Sequence, residues 1–121
     1  MGVEWREFAG KRYLYVDYTR CTSETEMIET YEKQAQQMRL QPRQSLVLSN
    51  FSGASVGSEY MKRVNEGGTS SGATMLEKAA FVGLGGLKSI LFDGYTRFTR
   101  LGDKVKSFDN EADALDWLVS D

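Results

Sequence analysis

Hydrophobic residues along this chain fall into two rhythms, one of period two and one of about 3.6, which mark strand and helix respectively. Val3 to Phe8 is followed by Ala9-Gly10-Lys11 and then by Arg12-Tyr13-Leu14-Tyr15-Val16-Asp17-Tyr18, which predicts a β-hairpin. Its second strand sets Tyr13, Tyr15 and Asp17 on one face and Leu14, Val16 and Tyr18 on the other. Apolar groups on both faces place that strand inside a sheet. Ser23-Glu24-Thr25-Glu26 has the form of a capping box. Met27, Ile28, Tyr31, Ala35 and Met38 then recur at helical spacing, so an amphipathic helix runs to about Arg39.

Pro42 breaks the helical pattern, and Ser45-Leu46-Val47-Leu48-Ser49-Asn50-Phe51 reads as an interior strand. Ser52-Gly53-Ala54-Ser55 predicts a tight turn into a short second helix with Val56, Tyr60, Met61 and Val64 inward. The small polar residues of Gly67 to Thr74 predict a mobile loop. Lys78 to Gly83 follows as a buried strand, and Leu84-Gly85-Gly86 turns into a helix carrying Leu87, Ile90, Leu91, Tyr95 and Phe98 on one side. Val105 to Phe108 is a brief, charged edge strand. Asp109 or Asn110 caps a last helix with Ala112, Leu115, Trp117 and Leu118 inward. Strand and helix alternate, so the expected fold is α/β: one domain over residues 1–121, a single-layer, mainly parallel sheet of about four or five strands with an N-terminal hairpin and about four helices.

Composition narrows the function. The chain has 121 residues, 40% hydrophobic and 26% charged, the profile of one ordinary globular domain. Its formal net charge of −2 supplies no positive field to hold nucleic acid. No apolar run reaches the ~20 residues that cross a bilayer, and Met1-Gly2-Val3-Glu4-Trp5-Arg6-Glu7 lacks the apolar core of a signal peptide, so a cytoplasmic location is expected. With one cysteine and no histidine, the usual zinc and iron ligand sets and the Ser-His-Asp and Cys-His nucleophile pairs cannot be assembled. No catalytic residue, metal or cofactor is therefore predicted.

Four segments carry a family resemblance. They are Tyr13 to Tyr18, Gln41 to Asn50, Ala79-Ala80-Phe81-Val82-Gly83-Leu84-Gly85-Gly86-Leu87-Lys88, and Phe108-Asp109-Asn110-Glu111-Ala112-Asp113-Ala114-Leu115-Asp116-Trp117-Leu118. In this order they resemble the SpoIIAA-like family of small α/β proteins related to STAS domains, the fold of bacterial anti-sigma-factor antagonists. The resemblance implies a sheet wrapped by helices and action through protein partners. Some relatives are switched by phosphorylation of a serine at the start of the helix after the third strand, and others carry lipid or nucleotide. Aligning the Ser-Gly turn places Ser58 at that position, where this chain reads Gly57-Ser58-Glu59-Tyr60 and the family reads Asp-Ser-Ser-Gly.

Two surfaces follow from these readings. Ser52, Ser55 and Ser58 surround an expected helix N-terminus, whose amides and dipole favour an anion, and they mark a candidate partner or regulatory surface. A serine that simply caps the helix is the plainer reading. Leu87, Ile90, Leu91 and Tyr95 would line a space between helix and sheet in a small carrier of a lipid or other apolar ligand, the alternative function. Gly83-Leu84-Gly85-Gly86-Leu87-Lys88-Ser89 lacks the glycine spacing of phosphate-binding loops and reads as a tight strand-to-helix turn. An enzyme using carboxylates and tyrosines, centred on Asp17, is the third reading. The leading expectation is a nonenzymatic partner-binding module whose partner is another protein or a second copy of itself.

Overall fold

Ala9 and Gly10 both adopt left-handed backbone, with φ of 52° and 80°, and link strands β1 (Val3–Phe8) and β2 (Lys11–Asp17). Two successive positive-φ residues form the turn whose twist matches an antiparallel ribbon, and Phe8 accordingly pairs with Lys11. The computed structural model describes residues 2–69, 72–85 and 102–120. Within them β1, β2, β3 (Ser45–Asn50), β4 (Leu76–Val82) and β5 (Val105–Phe108) form one sheet in the order β1-β2-β3-β4-β5. β1 is antiparallel to β2, and the remaining neighbours are parallel.

Parallel neighbours need crossovers. Helix α1 (Glu24–Arg39) joins β2 to β3, and α2 (Ser58–Thr69) with the single turn α3 (Gly72–Met75) joins β3 to β4. A 3-10 turn over Gly102–Lys104 leads into β5, and α4 (Glu111–Val119) follows it. The helix expected over Leu87 to Phe98 lies outside the described residues. Glycine-rich 67–69, expected in a loop, is the last turn of α2 instead. Gly67 sits where a side-chain carbon would strike the Tyr31 hydroxyl of α1, so close helix packing requires the glycine there.

The period-two alternation of β2 divides the core as expected. Leu14, Val16 and Tyr18 join Val47, Met27, Met38, Tyr60 and Val64 under α1 and α2. Tyr13 and Tyr15 join Leu46, Leu48, Ala80 and Val82 under Ala114 and Leu118 of α4. Ala112, expected inward, is exposed, because a helix beginning at Glu111 turns Ala114 and Leu118, four residues apart, onto the sheet. Tyr18 stacks on Phe51 at 4.7 Å and meets the edge of Tyr60 at 5.5 Å, which fastens α2 to the strand ends.

Both predicted caps form. Ser23 Oγ accepts from the Glu26 amide at 3.2 Å, and Asn110 Oδ1 accepts from the Asp113 amide at 2.9 Å. The Glu26 carboxylate closes on Thr22, accepting from its amide and hydroxyl at 2.6 Å each. Those bonds hold the Glu26 carboxyl below the ordinary glutamate range. The folded pKa being the lower one, this cap is intact at neutral pH and is lost as pH falls through that lowered value.

The far end of α4 is satisfied by a lysine from the sheet. Lys78 Nζ donates to the Trp117 carbonyl at 2.9 Å, the Ser120 carbonyl at 2.8 Å and Ser120 Oγ at 3.2 Å. An ammonium on the last carbonyls satisfies acceptors the helix cannot and opposes its dipole. Lys78→Met keeps the stem and removes the charge, and is expected to lower stability in urea denaturation by about 1–2 kcal/mol. An unchanged midpoint would mean that water serves those carbonyls equally well.

Candidate functional site

In parallel α/β sheets ligands and partners gather beyond the C-terminal ends of the strands. There Asn50 Oδ1 accepts from the Ser52 amide at 3.0 Å, closing an Asx turn, and the Ala54 amide donates to the Phe51 carbonyl at 2.9 Å. Gly53 completes the turn at φ 74°. The chain then enters α2 at Ser58, and Ser52, Ser55 and Ser58 are all exposed along this path.

No serine among them caps α2. Its first amides are taken by a side chain from another helix: Glu24 Oε2 accepts from Glu59 N at 3.0 Å and Tyr60 N at 3.2 Å. Glu24 is itself the first residue of α1, so one carboxylate serves two helix N-termini. Gly57 makes room for it, since a side-chain carbon at that position would collide with the Glu24 carboxylate. The place where a serine was expected to receive an anion is filled by an acid of the same chain.

Beside this capped end runs a groove of about 520 Å³ along α2, lined by Val56, Gly57, Ser58, Met61, Lys62, Asn65 and Glu66. Positions 58, 61–62 and 65–66 recur at helical spacing on the side of α2 turned away from α1. On the opposite side Arg63 pairs with Glu32, and Tyr60 and Val64 enter the core. Val56 and Met61, expected inward, are only half-buried and form the apolar floor, while Ser58, Lys62 and Glu66 are exposed at the rim.

A second polar cluster sits on the α4 face of the sheet. Tyr15 Oη donates to Glu111 Oε1 at 3.2 Å and accepts from Asn50 Nδ2 at 3.0 Å, and the Arg6 guanidinium lies 3.7 Å above the Tyr15 ring. Burial pushes the Tyr15 phenol up from its ordinary pKa, and the Glu111 and Asp17 carboxylates push the same way against the Asn50 hydrogen bond. Tyr15 is thus a protonated donor at neutral pH, a tether for the first turn of α4.

A cleft of about 660 Å³ adjoins it, with Arg6, Asp17, Arg20, Cys21, Glu29 and Lys33 in its wall. Asp17 Oδ1 accepts from the Thr19 amide at 2.8 Å and also from its hydroxyl, and Cys21 Sγ lies 3.5 Å from Thr30 Oγ1. Asp17 is therefore occupied in holding the loop. Among the described residues no group of three or more His, Cys, Asp or Glu side chains is placed to hold a metal ion, and no helix is long and apolar enough to cross a membrane. Leu87, Ile90, Leu91 and Tyr95 of the expected ligand lining lie outside the described residues.

No protein-family model and no curated protein sequence matches this chain. A crystal structure does: an uncharacterized protein from the DUF3478 family of Shewanella loihica PV-4, described as having a SpoIIAA-like fold. It aligns over 96% of this chain and 91% of its own with a TM-score of 0.65 and 18% sequence identity. The chain has a SpoIIAA-like fold. The resemblance drawn from the four sequence segments is correct at the level of architecture. Within the SpoIIAA-like frame Ser58 is the first residue of the helix after β3, where the alignment of the Ser-Gly turn set it. Identity of 18% carries the fold and no residue roles, so the site is argued from this chain's own side chains.

Sequence reasoning reached the serines but missed the two residues that shape their surroundings. Glu24 looked like part of its own helix cap, and nothing local signals that its acceptor atoms reach residues 35 positions away. Met61 reads as a core residue by its helical spacing, and it does pack against the core in part, but the rest of its side chain faces the groove, which local pattern does not show.

Proposed function

We propose that this SpoIIAA-like chain is a nonenzymatic module that binds a protein partner through the outward side of α2. The supporting observation is the groove floored by Val56 and Met61 and rimmed by Ser58, Lys62 and Glu66, beside a helix start already capped by Glu24. It offers an apolar side chain of a partner a floor to bury against, with charges of both signs around it to fix orientation. The polar side chains at the other strand ends are engaged within the fold. Tyr15 is driven toward its protonated form and Asp17 is engaged with Thr19.

The test is to capture partners from the source cells with the immobilised chain and titrate the purified candidate against variants. Met61→Glu places a charge on the apolar floor and is expected to weaken binding at least about tenfold, while Arg39→Glu at the exposed end of α1 leaves it unchanged. Equal affinity of wild type and Met61→Glu would move the interface away from α2. A small apolar adduct in native mass spectrometry, with no second polypeptide, would give first place to the carrier function.

A further inference from the structure

Strand β1 is the outer strand of the sheet, and among the described residues no strand pairs with its far edge. Natural edge strands are commonly blunted by a bulge, a proline or charged side chains. β1 has no bulge or proline, its register with β2 being unbroken from Val3 to Phe8, and its charges, Glu4, Arg6 and Glu7, are of mixed sign, so they reject most incoming strands and admit one of complementary pattern. An edge of this kind accepts another strand, and the pattern of the charges says which one.

The hairpin fixes which backbone groups are on offer. Phe8 and Lys11 flank a two-residue turn and therefore exchange hydrogen bonds with each other, and at the other end the Asp17 amide donates to the Gly2 carbonyl at 2.6 Å. Gly2, Glu4, Arg6 and Phe8 thus turn their amides and carbonyls toward β2. Those of Val3, Trp5 and Glu7 point outward. A partner strand must meet these three with outward groups of its own, which leaves few registers for a second copy of β1 running antiparallel.

A two-fold axis beside Glu4 sets Glu4 against the partner's Glu4, and one beside Arg6 sets Arg6 against the partner's Arg6. An axis beside Trp5 sets Glu4 opposite the partner's Arg6 and Arg6 opposite the partner's Glu4, both as closely spaced non-hydrogen-bonded pairs. It also sets Val3 against the partner's Glu7 and Trp5 against the partner's Trp5, so that about six ladder hydrogen bonds form. Glu4 and Arg6 are exposed on one face of the sheet and already pair within the strand at 2.8 Å. Exchanging that pair for two across the axis keeps both of those charges matched.

We infer that two copies of this chain associate through β1, about a two-fold axis beside Trp5, into one continuous sheet held in register by Glu4 and Arg6. None of the residues lining the α2 groove lies in β1.

The test is sedimentation of the full chain from micromolar to millimolar concentration, with far-UV circular dichroism to show that each variant keeps its fold. Wild type is expected to move from monomer to dimer mass. Glu4→Arg alone and Arg6→Glu alone create like-charge pairs and raise the dissociation constant about tenfold or more, and the double variant returns it to near wild type. Amide exchange at Val3, Trp5 and Glu7 should slow as the dimer forms. A monomer at every concentration, or a dimer indifferent to the two reversals, overturns the inference.

Discussion

Gly83→Ala is expected to destabilise the protein by roughly 2–5 kcal/mol, because it meets two obstacles together. Gly83 ends β4 in left-handed backbone at φ 80°, a conformation that any other residue adopts at a cost. Its α-carbon also lies against Ser52, so that an added methyl would run into the Ser52 amide nitrogen, hydroxyl and α-carbon. The Ser52 amide is held by Asn50 at 3.0 Å, and Phe51 beside it donates to the Val82 carbonyl at 2.9 Å, so the obstructing backbone is fixed to the ends of β3 and β4. Gly10→Ala is the control. Gly10 has the same φ of 80° with nothing within 4 Å of an added carbon, so it should lose only the conformational part, about 1–2 kcal/mol. The difference between the two urea midpoints isolates the contact with Ser52, and equal losses would show that the strand ends yield.

That contact also bears on what a single sequence reveals. The hairpin, the interior strands, α1 and the caps at Ser23 and Asn110 are written in local pattern, and each forms where the pattern puts it. What local pattern does not carry is any device built by residues far apart in the chain. Lys78 looks like no more than the polar start of an apolar strand until its ammonium is seen on the carbonyls of Trp117 and Ser120. Gly67 reads as a loop residue because propensity counts against glycine in helices, and the nearness of Tyr31 reverses that preference. The serines at the strand end were visible by type and by the Ser-Gly turn. Their environment was not, since the carboxylate that governs it belongs to α1.

Glu24→Ala is accordingly expected to cost about 1–3 kcal/mol, by leaving the amides of Glu59 and Tyr60 to whatever water can reach them. Gly57→Ala should reproduce part of that loss in a different way. Its methyl displaces the end of a flexible side chain and no backbone, so it evicts the carboxylate without deleting it. Ser58→Asp then reports on the same amides. In the wild-type background the new carboxylate arrives beside one already seated there, and like-charge repulsion offsets its gain from the helix dipole. Once Glu24 is alanine the place is vacant, and Ser58→Asp should recover about 0.3–1 kcal/mol. The effects of the two substitutions are therefore non-additive, which a double-mutant cycle in urea detects directly. Strict additivity would mean that Ser58 and Glu24 act on separate groups. Coupling would mean that a negative charge added at Ser58 acts on α2 by competing with Glu24, and that its effect on a partner at the adjoining groove passes through the start of this helix.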